Sequence, residues 1–550
     1  MSFSKNLKFT WPWFLLTAFL VVLTVLRISL FDVGFLTAWD ESYYLIKCEE
    51  AYIGEYVTGK SLWNYLAIKW FPSLDLTSKI DSCWANWILE FSAAIIGSLS
   101  CIKLFGRNDF FKYFSLNYLL CFLWGTSYAG VVLNYVPMQA FLTIIATYTC
   151  ALFLHEKKLA LKVVCLLFWG GALGVSIFVI LPSTILLWLC SFLVLFFTSP
   201  MKKYVINYTL LLLLGGWIGI LYVHLFVCDL DRVIEAMTFT AHYITKVGYG
   251  YSPLSIVLQV GLFIRDYLFI ILFYIGAFFL ATRIEILNTF VGGLCYILMI
   301  LILNHYQIKP TITPAMILSS VVFLPFLFSS KKKDWKQVVT FLFMFSFPII
   351  ASIGTNTYLG SRMICFTAPW ILYMSNNNVP KYTLLASVIV LLLSPSLSYT
   401  KKTINRDDTY HFTKGRASFA KLSLTNEQVQ YYDNVYDIMS QYGFKAHQSV
   451  VFTTEYDYAT VYAFEAELSS NFYQKNNFLH VDRSVMRQPD FIFLSKWDKD
   501  VLGKELAEMP WGYPEKYDEY YVGTPESPDF PWDSNRWLYC RKPEKIDEIQ

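Results

Sequence analysis

Apolar residues fill this chain in long blocks, separated by short polar stretches. A membrane-spanning helix needs about 20 mostly apolar residues, and the blocks match that length. Thirteen candidate spans are read, at 11–31, 84–105, 113–128, 131–154, 160–178, 180–198, 205–227, 260–281, 286–304, 312–329, 337–352, 362–375 and 382–397. The first follows Lys5 and Lys8. It is too long for a signal-peptide core, and no small-x-small cleavage site follows it, so it reads as an uncleaved span. From Lys401 the pattern changes, and polar and charged residues dominate. "TNEQVQYYDNVYDIMSQYGF" has helical spacing at Val429, Tyr432, Val435, Tyr436 and Met439, with Thr425 or Asn426 as its cap. "SVVFTTE" and "PDFIFLSKW" read as strands, and "YDEYYVGT" and "NRWLYCRK" as edge or closing strands. The expected fold is therefore an α-helical polytopic membrane protein of about thirteen spans, residues 1–399, followed by a small C-terminal α/β domain, residues 400–550. The first hydrophilic loop is 32–83. The chain carries no internal repeat and no low-complexity tract.

Composition agrees. Of 550 residues 56% are hydrophobic and 15% charged, and the mean hydropathy is +0.44; a soluble chain carries about 25% charged residues. A net charge of +3 leaves no basic footprint for nucleic acid. Of the 11 cysteines, most fall in apolar runs, where Cys acts as a small hydrophobe. None shows a metal-binding spacing. Cys48 and Cys83 are a possible pair across the first loop.

Lys and Arg collect in cytoplasmic loops. With the N-terminus inside, the connections after even-numbered spans read "GRNDFFK", "HEKKLALK", "SPMKKY", "ATRIE", "SSKKKDWK" and "NNNVPK", each with a basic residue. The opposite set, including 32–83, 228–259 and "GTNTYLGSR", is acidic, aromatic or weakly basic. An odd number of spans then puts residues 400–550 outside, as an extracytoplasmic domain. The short polar loops suit a bacterial inner membrane with a periplasmic face.

The chemistry concentrates where the chain first leaves the bilayer, at "GFLTAWDESYYLIKCEEAYIGEYV". Residues 40–56 read as an amphipathic helix lying on the membrane surface, with Tyr44, Leu45, Cys48, Ala51 and Tyr52 on its apolar face and Lys47, Glu49 and Glu50 elsewhere. Asp40 stands at the N-cap and Glu41 in the first turn. Two readings are open. Carboxylates suit a helix N-terminus and Tyr suits a membrane interface, or the pair is an acid–base group with Tyr43 and Tyr44 beside it. On the outer side, Lys60, His242, Lys246, Arg265 and Arg362 are candidates to bind an anion. Arg265 lies inside an apolar segment, where an ion is costly and marks a functional position. "CDLD", residues 228–231, has the look of a metal-holding D-x-D but stands alone, so no metal site is read.

A first span with Arg27 near its outer end, a short link, Asp40-Glu41 before Tyr43-Tyr44, many spans and an outer domain together resemble the GT-C superfamily of integral membrane glycosyltransferases. The likeness is to the family-39 type, which includes protein O-mannosyltransferases and lipid A aminoarabinose transferases. The resemblance covers the layout and one short motif. It departs where that family has a His-Pro-Pro-Leu-like segment, since "TGKSLWNYLAIKWFPSL" holds no His. The resemblance implies an inverting glycosyltransferase that moves a sugar from a polyprenyl-phosphate donor to an outward-facing lipid, glycan or protein acceptor, among membrane lipids and with no cofactor. With such a donor the leaving phosphate is already a stable anion, so the step needs a base rather than an acid, and Asp40 is read as that base, with Glu41 orienting it or the sugar hydroxyls. Two other readings stand beside it: a transporter or flippase for a lipid-linked sugar, and an oligosaccharide ligase or polymerase.

Overall fold

The structure is a computed structural model that describes residues 3–29, 31–32, 40–53, 62–105, 110–125, 132–199, 201–229, 335–352, 366–375, 410–453, 458–469, 486–523 and 535–543, with single positions between 231 and 261. Helix α1 spans Phe3–Ile28 and matches the first apolar run. The first loop holds α2, Asp40–Ile53, and α3, Trp63–Trp70. Then follow α4 (Lys79–Phe105), α5 (Phe110–Gly125), α6 (Tyr135–His155), α7 (Leu159–Ser176), α8 (Leu181–Thr198) and α9 (Lys202–Phe226). Two later helices are α10, Trp335–Ala351, and α11, Ala368–Ser375. Among the described residues, four helices are long and apolar enough to cross a membrane: α4, α6, α7 and nearly all of α9. Apolar stretches of α1 and α8 are shorter. The runs expected at 286–304, 312–329 and 382–397, and all of 260–281 but Gly261, lie outside the described residues.

Helix α9 turns a continuous row of large apolar side chains outward, among them Leu210, Leu214, Trp217, Leu221 and Leu225. Such a row is stable only against lipid or another apolar surface. Its opposite face meets α7 through glycines. A Cβ on Gly170 or Gly174 would run into the carbonyls of Leu212 and Gly216, and one on Gly215 or Gly219 into those of Leu167 and Gly171. Small residues four apart on each helix let the backbones touch, which is how helices gain packing where lipid removes the hydrophobic drive.

After the membrane helices, α12 (Asn426–Gln441) begins with the expected Thr425 cap. The Thr425 hydroxyl accepts from the Gln428 amide while the Gln428 side chain accepts from Thr425 N–H. A five-stranded sheet follows in the order β2-β1-β3-β5-β4. It is built from β1 (Val450–Phe452), β2 (Glu467–Leu468), β3 (Phe491–Ser495), β4 (Tyr517–Gly523) and β5 (Arg536–Arg541). Helix α13, Tyr458–Phe464, links β1 to its parallel neighbour β2. β1 and β3 are also parallel, whereas β5 runs antiparallel to both β3 and β4. Central β3 is buried along its whole length. Phe491 and Phe493 join the core shared with the membrane helices, and Ile492 and Leu494 face a second core with Leu502, Trp511 and Tyr539. This is the two-residue period of a strand buried on both faces. Helix α14, Lys496–Ala507, starts at β3's end with a Ser495–Asp498 capping box.

Candidate functional site

The first loop is anchored before it begins. Near the end of α1, Arg27 donates to both carboxylate oxygens of Glu90 on α4, at 2.6 and 2.9 Å. The two side chains are 2% and 0% exposed. One turn further, Phe31 packs edge-on against Trp84, with ring centroids 5.3 Å apart.

Helix α2 takes Asp40 as its first residue and is described to Ile53. The expected Tyr44, Leu45, Cys48 and Ala51 face is buried, while Tyr52 is 46% exposed. The expectation of a helix lying on the membrane surface is corrected in a second respect. Glu41 and Ser42 are fully buried and Lys47 is 3% exposed, so the polar side is covered as well. The cover comes from α3 and α4, close in sequence, and from α13, which follows much later in the chain. Tyr44 packs edge-on against Trp63 and Tyr135, and Tyr43 lies 5.5 Å from Tyr458 of α13. The Lys47 ammonium sits over the Tyr43 ring at 5.6 Å, and the Lys47 carbonyl accepts from the Asn64 side chain at 2.8 Å. Cys48 and Cys83 are both free and buried, so the possible pairing across the loop is not made. Burial pushes the Cys48 thiol up from its ordinary value.

Glu41 has a cation beside it. The Lys79 ammonium lies 3.6 Å from its carboxylate, and both side chains are 0% exposed. Lys79 opens α4 after a tight acidic turn. There Asp75 accepts from the Thr77 amide and hydroxyl, and Asp81 accepts from the Asp75 amide. Sequence reasoning missed Lys79 because the span was taken to start at residue 84, which left Lys79 in the loop. Its signal was a Lys one turn ahead of an apolar run with Asp81 in the first turn. An ion pair with no exposure carries a large desolvation penalty, which only close partners offset.

The structure thus brings Glu41, Tyr43 and Tyr44 together on α2 with Lys79. The backbone of Asp40 belongs to the same first turn. Lys60, His242, Lys246, Arg265 and Arg362 lie outside the described residues. Lys112, from the basic connection "GRNDFFK", is buried and donates to the Ser375 carbonyl at the end of α11, at 3.1 Å.

No protein-family model matches the chain, and no curated protein does. Among solved structures it is similar to the Archaeoglobus fulgidus oligosaccharyltransferase tethered with an acceptor peptide containing the NVT sequon. That likeness has 10% identity and a TM-score of 0.47, over 96% of this chain and 74% of that one. It is also similar to ArnT from Cupriavidus metallidurans bound to undecaprenyl phosphate, with 11% identity and a TM-score of 0.42, over 95% of this chain and 97% of that one. At these scores the likenesses assign no role to any residue here.

Proposed function

We propose that the protein is an integral membrane glycosyltransferase that moves a sugar from a polyprenyl-phosphate donor to a hydroxyl acceptor on the non-cytoplasmic side, with inversion. The observation that supports this reading most is the fully buried Glu41–Lys79 pair in the first turns of α2 and α4, next to Asp40 and directly after the first span. A charged pair kept out of water, in the loop that joins two apolar helices, is a reason to look for chemistry there.

In the proposed step Asp40 takes the proton of the acceptor hydroxyl. The acceptor oxygen forms its bond to the anomeric carbon as the bond from that carbon to the phosphate oxygen breaks. The electron pair leaves with the polyprenyl phosphate, which is already a stable anion and needs no general acid. Fixed cations meet the charge gathering on that phosphate, and Lys60, His242, Lys246, Arg265 and Arg362 are the proposed set. Glu41, held by Lys79, orients Asp40 or the sugar hydroxyls, and Tyr43 and Tyr44 line the approach. The donor's lipid stays among the acyl chains while its phosphate sits at the membrane edge. On this reading residues 1–399 form the catalytic membrane unit and residues 400–550 an extracytoplasmic domain, in a bacterial inner membrane with the site facing the periplasm.

The test is transfer by purified protein in lipid with radiolabelled polyprenyl phosphosugars, comparing wild type with Asp40→Asn. Loss of a positioned general base is expected to lower turnover by about 10²–10⁴. Equal transfer by the variant overturns the assignment. Labelled donor that crosses the bilayer intact, without transfer, turns the reading to a transporter.

A further inference from the structure

The C-terminal part of the chain grips α2 near both ends. Toward its start, Tyr458 packs on Tyr43. Toward its end, the Arg416 guanidinium donates to Glu49 at 2.5 Å. Arg416 is itself held from three sides. Its Nε donates to the Tyr462 carbonyl at 2.9 Å, its own amide donates to the Ala463 carbonyl, and its guanidinium lies 4.3 Å from the centre of the Tyr462 ring. Gly415 makes this approach possible, because a Cβ there would strike the Ala463 carbonyl. Tyr462 in turn donates its hydroxyl to the Thr77 carbonyl at 2.5 Å, two residues before Lys79. The Ser423 amide donates to the carbonyl of Asp32 at 2.6 Å, on the link between α1 and α2. One short C-terminal segment and α13 therefore reach the link before α2, both ends of α2, and the turn that carries Lys79.

We propose that Arg416 is a positioning residue for the α2 carboxylates. With the guanidinium fixed by α13 and the Arg416 side chain only 7% exposed, Glu49 has one place to sit. Eight residues of helix, about 12 Å, carry that placement to Glu41 and the Asp40 backbone. A flexible Lys at position 416 would lack the planar fork that bonds Glu49 and the Tyr462 carbonyl at once. The inference rests on the reading of Asp40 as base for its catalytic consequence, but not for its physical one.

The experiment uses the full-length protein in lipid nanodiscs as wild type, Arg416→Met, Glu49→Gln, the double variant, and Lys414→Met. Lys414 pairs with Asp433 and Asp437 on the domain's own surface, so its variant is the control. Hydrogen exchange of the α2 amides is read beside turnover of radiolabelled polyprenyl phosphomannose and polyprenyl phospho-aminoarabinose. In Arg416→Met, α2 is expected to exchange about tenfold faster or more, with α4 unchanged, because local opening loses a charge-assisted bond. Turnover is expected to fall by about ten- to a hundredfold, with the donor KM held within about twofold. The double variant is expected to be no slower than the slower single one, since both remove the same bond. Unchanged α2 exchange in Arg416→Met overturns the proposal, and so does faster exchange with unchanged turnover where Asp40→Asn is inactive. If Asp40→Asn turns over like wild type, the base assignment falls separately, and α2 exchange alone then decides whether Arg416 holds the helix.

Discussion

The Arg27–Glu90 pair offers the sharpest energetic test of how the first span is fixed. Its two bonds, 2.6 and 2.9 Å, join side chains that are 2% and 0% exposed, so water screens little of the attraction. Arg cannot shed its proton. Glu90→Leu therefore leaves a permanent cation facing an apolar side chain inside the helix pack. Breaking a buried pair from one side costs about 3–5 kcal/mol, whereas replacing both partners with apolar residues of similar volume is often neutral or stabilising. Glu90→Leu and Arg27→Met are each expected in the range of about 3–5 kcal/mol, and the double variant near zero. The implied coupling is about 6–10 kcal/mol, beyond the roughly 0.5–3 kcal/mol of ordinary contacting pairs. The assay is a double-mutant cycle on unfolding in mixed detergent and SDS micelles, followed by circular dichroism. Additive effects, within about 0.5 kcal/mol, would refute the claim that this pair acts as a buried unit.

Two further outcomes follow from packing and burial. Gly174→Leu drives a side chain into the Gly216 carbonyl. Overpacking of this kind costs about 1–3 kcal/mol or more, so the variant should lose its single sharp peak in detergent size exclusion, while Gly503→Leu, where a Cβ would meet only open space, should not. Tyr462 is pushed up to about 12, chiefly by burial, against about 10 for an unfolded Tyr. The folded protein thus holds this proton more tightly. The stability it contributes is fully present below pH 10 and is lost as pH rises through 12, by up to about 2.7 kcal/mol. Tyr462→Phe loses the bond to Thr77 at neutral pH but lacks that decline, so the gap between the two melting curves should narrow from pH 10 to 12. A constant gap would refute the assignment.

Much of the fold was legible because single elements carry their own signals. The apolar runs located α1 and α4 through α10, though α4 starts five residues early because polar Lys79, Asp81 and Ser82 belong to the helix rather than the loop. Thr425, one of two caps read, and the helical spacing from Val429 to Met439 announced α12, and short strand-like runs announced β1, β3, β4 and β5. β2 is two residues long and offers no period to read. The glycine contact of α7 with α9 was not read either, since spacing on one helix does not name its partner. The site was legible only in part. Asp40-Glu41 stood out as a motif, and the apolar face of α2 was read correctly apart from Tyr52. What covers the polar face of α2 was not legible, because Arg416, Tyr458 and Tyr462 come from a part of the chain about 370–420 residues away, and local pattern holds no record of such a meeting. Lys79 was hidden for a related reason, since its value depends on Glu41 arriving beside it.

The glycine seam has a consequence for the order in which the molecule is assembled. α9 fills the notch in α7, yet α8 leaves the ribosome between them. Until α9 is in the bilayer, Gly170 and Gly174 present bare backbone that acyl chains fit poorly. A chain halted before Phe226 therefore lacks the partner that fills this groove, and the seam closes only once α9 is complete.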